Sequence, residues 1–299
     1  MAQKRRKPII LTLLASSSFL ALLFLLFYDI ESSKLSIPAV PNPNGYDDFV
    51  RAAQLLIGAP RDYSSMTFDE LRALVTTNRE VLTLVNQGLT RQCRVALDFV
   101  NTKPDDHFKT LSELKRVAQL MAAQGRLAEL EGRTTDAVSS YLDTIRFAQE
   151  CSRGGPSMDK VVGIACESIG GTPLRQLARN LDATSSREAA KVLEQIDHRR
   201  PPLADTLKTE KQWFLRHSTL SQRVRARIPI SGINPTSTAT RSLTIKARAI
   251  ESQTKQLLTE LAAHAYKLEH GRSPKSLVDL VPSYLSAVPI DPETGTRME

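Results

Sequence analysis

The chain has 299 residues, 41% of them hydrophobic, with 40 Lys and Arg against 32 Asp and Glu, for a formal net charge of +8. That much apolar content supplies one sizeable core or two smaller ones and excludes disorder of the whole. Half of the charge sits in Lys4, Arg5, Arg6 and Lys7, and the remaining 36 basic residues against 32 acidic ones are ordinary for a soluble domain, so nucleic acid is not an expected partner.

In chain order, the basic cluster is followed by an uncharged apolar run, Ile9 to Tyr28. A helix of about 20 residues spans roughly the 30 Å of a bilayer core. A cleaved secretory signal and an uncleaved signal anchor both begin this way; the length of the run and the lack of a small-x-small site after Tyr28 favour the anchor. Lys4, Arg5, Arg6 and Lys7 then set the orientation by the positive-inside rule. The expectation is a single-pass inner-membrane protein that touches the lipid bilayer through residues 9–28, with a cytoplasmic N-terminus and an extracytoplasmic or periplasmic body. Residues 1–30 are thus the basic tip and transmembrane segment, and 31–44, with Pro38, Pro41 and Pro43, a linker.

The fold class expected is all-α, a helical bundle or a solenoid-like array of antiparallel helix pairs behind the transmembrane helix. A helical domain is assigned to 45–230, a polar loop to 231–240, and a long helix with a C-terminal cap to 241–299. Phe49, Ala52, Ala53 and Leu56 share one helical face behind Gly45. Thr67 and Glu70 have the spacing of a capping box. A further helix is expected over Asn78–Cys93 and a loop around Asn101–Asp106. Leu111 to Cys151 reads as one helical hairpin, VVGIACESIGGTPLRQLARNL as a buried helix with a bend near Gly170–Pro173, and Ser185 with Glu188 as a second capping box. Pro201-Pro202 precedes a basic amphipathic segment from Leu203 to Arg227, the long helix is expected from Arg241 to His270, and Ser273 with Pro274 is expected to start a last short helix.

Candidate chemistry is sparse. Cys93, Cys151 and Cys166 form no CxxC; one bridge, with Cys151 and Cys166 the nearest pair, competes with buried free thiols. The five histidines form no HExxH, and Glu260 with His264 at i,i+4 lacks a third ligand, so no metal, cofactor or catalytic residue is assigned. Asp47-Asp48 and Asp105-Asp106 are adjacent pairs that do not face each other on a helix. Between Arg199 and Lys255 twelve Lys or Arg face Asp205, Glu210 and Glu251, and Arg216, Arg223, Arg225 and Arg227 are the candidate docking face, against a merely solvated helix face.

Two stretches resemble known families. Gly125, Gly132, Ala137 and Tyr141 within residues 118–151 resemble the small and aromatic positions of a single tetratricopeptide unit, which implies two closely approaching antiparallel helices. Tyr266, Gly271, Pro274, Leu277, Leu280, Tyr284, Pro289, Asp291 and Pro292, within 261–295, resemble the C-terminal segment of type II secretion major pseudopilins. Physically the pattern is a self-contained cap: Gly271 ends one helix, Pro274 starts the next, and Leu277 and Leu280 fold back on Leu261 and Ala265. The chain departs from the pseudopilin pattern at its start, where Pro8-Ile9-Ile10-Leu11-Thr12 stands in place of a prepilin cleavage site and the apolar run holds no glutamate. As a whole the chain resembles bacterial single-pass membrane-anchored helical proteins, a likeness that implies no activity. The function expected from the sequence is a non-enzymatic scaffold or interaction module working with another envelope protein, with an accessory role in a secretion or pilus-like machine as the alternative and an envelope enzyme as a third reading.

Overall fold

A computed structural model describes residues 39–58, 62–97, 103–217, 219 and 235–298. Residues Val40–Glu299 form one compact unit. Among the described residues there are nine α-helices and no strand: α1 Gly45–Leu55, α2 Phe68–Thr77, α3 Arg79–Leu89, α4 Pro104–Leu130, α5 Thr134–Glu150, α6 Ser157–Ala178, α7 Ala183–His198, α8 Leu203–His217 and α9 Pro235–His270. The all-α expectation holds. The expectation of a single-pass inner-membrane protein is corrected: no helix among the described residues is long and apolar enough to cross a membrane. The run 9–28 and the cluster Lys4, Arg5, Arg6 and Lys7, which carried that expectation, lie outside the described residues.

Helices α4, α5 and α6 pack against one another at the centre. One apolar cluster gathers α1, α2 and α3 on α4, with Phe49, Val85, Leu114 and Phe147 at its heart. The rings of Phe49 and Phe147 meet edge to face with centroids 4.9 Å apart, the arrangement their quadrupoles favour. A second cluster joins α5, α6, α7 and α9 through Tyr141, Leu174, Leu193 and Leu261.

The hairpin foreseen over residues 111–151 is α4 and α5. Gly132, at φ 73°, supplies the left-handed turn between them. A Cβ placed at Gly125 would lie 2.5 Å from the Tyr141 ring, so the two helices approach closely because that side chain is missing. Thr67 and Glu70 form the reciprocal capping box read from their spacing. At α7 the cap is instead Asp182, whose carboxylate accepts from Ser185 N at 2.7 Å, so Ser185 is satisfied inside the first turn.

Helix α6 runs through Pro173 without ending there. Proline cannot donate to the carbonyl four residues back, and the hydroxyl of Tyr63 reaches that orphaned carbonyl, Ile169 O, at 3.5 Å. Gly170 lies on the carbonyl of Tyr141 and on Thr144, making α6 fit closely on α5. The polar stretch 231–240 is helical from Pro235 onward, because proline at the first helical position loses no hydrogen bond and arrives with helical φ.

The tail folds back on α9, as expected from the pattern of Gly271, Leu277 and Leu280. Gly271, at φ 67°, ends α9, and Leu280, fully buried, joins Leu261, Ala265 and Tyr266 in the second cluster, with Leu277 packed on its edge. Ser273-Pro274 does not start a helix. Asp279 instead accepts from Lys275 N at 2.7 Å and sets up a short 3-10 turn over Leu277–Leu280. Tyr284 closes the cap by donating to Glu269 at 2.6 Å, beside the Tyr266 and His270 rings stacked at 4.1 Å.

Candidate functional site

The N-terminal turns of α4 and α6 come together with α8 and the start of α9 around a groove of about 390 Å³. Its walls are mostly apolar: Phe108, Pro156, Met158, Val161, Trp213 and Leu243. Phe108 and Met158 are 46% and 45% exposed, which leaves an aromatic ring and a thioether facing water at the rim. Large apolar side chains grouped around a concavity mark a binding surface more often than scattered ones do. A groove of about 460 Å³ between α1 and α4 is larger. It is more polar, and Glu113 and Arg116 on its wall pair with each other at 2.6 Å.

At the floor of the first groove His107 in α4 meets Asp159 in α6, Nε2 donating to Oδ2 at 2.8 Å, with both side chains buried. Burial pushes the Asp159 carboxyl up from the usual carboxylate range, and the hydrogen bond from His107 pulls it partly back. The other oxygen, Oδ1, is buried without a partner. Gly155 makes room for this carboxylate: a Cβ there would come within 2.6 Å of Oδ1. No serine hydroxyl or cysteine thiol shares a hydrogen bond with this ring among the described residues. The His107–Asp159 pair therefore ties two helix N-termini together at the groove, and Trp213 covers it with ring centroids 6.2 Å apart.

Glu210 of α8 also lines the groove, and its Oε2 accepts from Ser157 N at 2.7 Å. It thereby caps α6 from another helix, satisfying one of the amides that a helix start leaves unpaired. On α9, Ala239, Ser242, Leu243 and Lys246 fall on one stripe and complete the wall.

The residues singled out from sequence lie elsewhere. Arg223, Arg225 and Arg227 are outside the described residues, and of Arg216 only the backbone, in the last turn of α8, is described. Glu260 and His264 do not converge: Glu260 pairs with Arg175 at 3.1 Å and His264 Nε2 donates to Leu181 O at 3.0 Å. Asp48 pairs with Arg91 at 2.6 Å, whereas Asp47 accepts from Asn44. Cys93, Cys151 and Cys166 are free and buried. A hydrogen bond with Cys166, together with burial, pushes the Cys151 thiol up, and burial pushes Cys93 up to about 12.

His107, Asp159 and Trp213 carry no local signature, since 52 positions separate the first two and neither stands in a motif. The signal that could have pointed to the site is Trp213, the single tryptophan of the chain. No protein-family model, no curated protein and no solved structure matches the chain.

Proposed function

We propose that the chain is a helical protein-interaction module whose working surface is the groove formed by α4, α6, α8 and α9. The observation that carries this reading is the exposed pair Phe108 and Met158 flanking the half-buried Trp213 over a concavity of about 390 Å³. A large apolar side chain left in water forgoes the ~1.5–3 kcal/mol that burial gives it, and a partner's apolar segment restores that burial. Helix-lined grooves of this kind accept an amphipathic helix through residues spaced at i, i+3, i+4 and i+7. Methionine and aromatic side chains suit such a surface because they repack around different contours.

The His107–Asp159 pair supports a binding role by holding the floor. It fixes α4 and α6 relative to each other at their first turns, so the walls keep their spacing when the groove is empty.

The test is selection of a displayed peptide library against the full chain, followed by rebinding to Met158→Asp and Phe108→Ser variants. Both positions are exposed, so the variants keep the fold. The reading expects the enriched peptides to carry an apolar stripe and to lose affinity at least about tenfold for Met158→Asp. Enrichment of peptides indifferent to both substitutions would place the binding surface elsewhere.

A further inference from the structure

We propose that the segment this groove takes is acidic: an amphipathic helix of a partner protein with carboxylates flanking its apolar stripe. The proposal rests on the groove being the interaction surface and adds the charge of what it recognises.

The polar inventory of the groove is the reason. Among the described residues, its ionisable lining residues are His107, Glu210 and Lys246. Glu210 is the only carboxylate among them, and it is turned onto Ser157 N at the start of α6, where it offsets the positive end of that helix. Its charge is spent inside the protein and offers a partner little repulsion. Lys246 is exposed on the lining stripe of α9, and no acidic side chain pairs with it among the described residues. The same stretch of α9 has no acid in its first turn, and from Pro235 the first one is Glu251, whereas Arg241, Lys246 and Arg248 precede it.

The start of α6 is already offset by Glu210, and the first turn of α4 carries its own Asp105 and Asp106, so the positive charge offered at the groove is that of Lys246. Asp105 and Asp106, in the first turn of α4, are not among the residues that line it. His107, at the floor, is turned onto Asp159 through Nε2, so this pair is satisfied inside the protein. The walls are thus apolar with an electropositive edge, and the complementary partner is apolar with an electronegative one.

The experiment uses the full chain and three synthetic amphipathic peptides of about 20 residues, enough for five to six helical turns. All three share one leucine stripe, and their flanks carry glutamate, glutamine or lysine. Binding is followed through the emission of Trp213, the only tryptophan. The glutamate peptide should bind about tenfold tighter than the lysine peptide at low salt, with the gap narrowing as salt rises past about 0.1 M, where the screening length falls to roughly 10 Å. Lys246→Glu, at an exposed position that leaves packing unchanged, should reverse the order. Equal binding of all three peptides, or an unchanged order in Lys246→Glu, overturns the acidic preference and leaves the groove reading standing. Failure of all three to bind the helical chain overturns both. A Trp213 response to dodecanoate but to no peptide also overturns both, and gives the groove to a small amphiphile.

Discussion

The guanidinium of Arg200 holds the carboxylate of Glu167 in a two-pronged grip, Nη2 to Oε1 at 2.6 Å and Nη1 to Oε2 at 2.9 Å, with side chains only 10% and 4% exposed. Asp197 takes a third bond from Nε at 2.9 Å, and Thr254 donates to Glu167 at 2.7 Å, so α6, α7 and α9 meet at one buried charge knot. Burial by itself pulls the Arg200 guanidinium down, and Glu167 followed by Asp197 more than reverses it, holding the group above its ordinary value. Removing one partner strands the other charge in low dielectric. Glu167→Leu alone is expected to cost about 3–5 kcal/mol in urea unfolding, and Glu167→Leu with Arg200→Met to recover much of that loss. An additive double variant would falsify the knot as a coupled unit.

Gly125 gives a second prediction. In an exposed helix, alanine in its place stabilises by about 1 kcal/mol. Here the added carbon meets Tyr141 at 2.5 Å, against a fully buried ring whose hydroxyl is engaged by Glu129. Overpacking of this kind costs about 1–3 kcal/mol, so Gly125→Ala should lower the midpoint of denaturation. Adding Tyr141→Leu to that variant should return part of the loss, which a series of four unfolding curves reads directly.

The thiols offer a chemical readout with a defined pH direction. A thiol is nucleophilic as thiolate, and burial pushes Cys93 up to about 12 while Cys151 is also raised, so neither is ionised near pH 8. Iodoacetamide at that pH should leave both unlabelled in the native protein over an interval that labels all three cysteines in denaturant. Mass spectrometry of labelled peptides decides it; native labelling of Cys93 at pH 8 would contradict its packing under Gly45.

Two helix caps set an acid limb to stability. Hydrogen bonds from Ser185 lower Asp182 below its usual 3.8, and those from Thr67 lower Glu70 below 4.5. A carboxyl depressed in the folded state adds stability above its unfolded pKa and loses it as pH falls through the folded one. Wild-type stability should therefore decline below about pH 4.5, and Asp182→Ala should flatten the part of the decline below 3.8. Thermal unfolding at stepped pH measures the two slopes.

The tail acts as a lid on the second apolar cluster. Leu280 is fully buried against α9, so Leu280→Ala should cost about 2–5 kcal/mol. Truncation after Gly271 uncovers Leu261, Ala265 and Tyr266 together, and light scattering should show association of the shortened chain.

Local chemistry was legible in the sequence where it acts between neighbours. The Thr67–Glu70 box follows from a spacing within one turn, whereas the Gly125–Tyr141 approach and the return of Leu280 onto Leu261 follow from longer patterns of small, aromatic and leucine positions that bridge two elements. Competition between equally good local signals was less legible: Asp182 took the cap of α7 from Ser185, and Pro235 began α9 within a stretch whose threonines and serine suggested a loop. The site itself was not legible. His107 and Asp159 are 52 positions apart, and their contact exists because α4 and α6 pack side by side, which no periodicity within either helix states. The basic residues chosen as a docking face were selected by density along the chain, whereas Lys246 matters through the stripe it shares with Leu243.

Hydrogen–deuterium exchange of the full chain with and without the glutamate-flanked peptide tests the central claim most directly. Binding in the groove predicts slowed exchange confined to the first turns of α4 and α6, the α8 segment around Trp213 and the first turns of α9, and no slowing in Met158→Asp. Protection centred on α1 to α3 or on the C-terminal cap, or the same pattern in Met158→Asp, would contradict it.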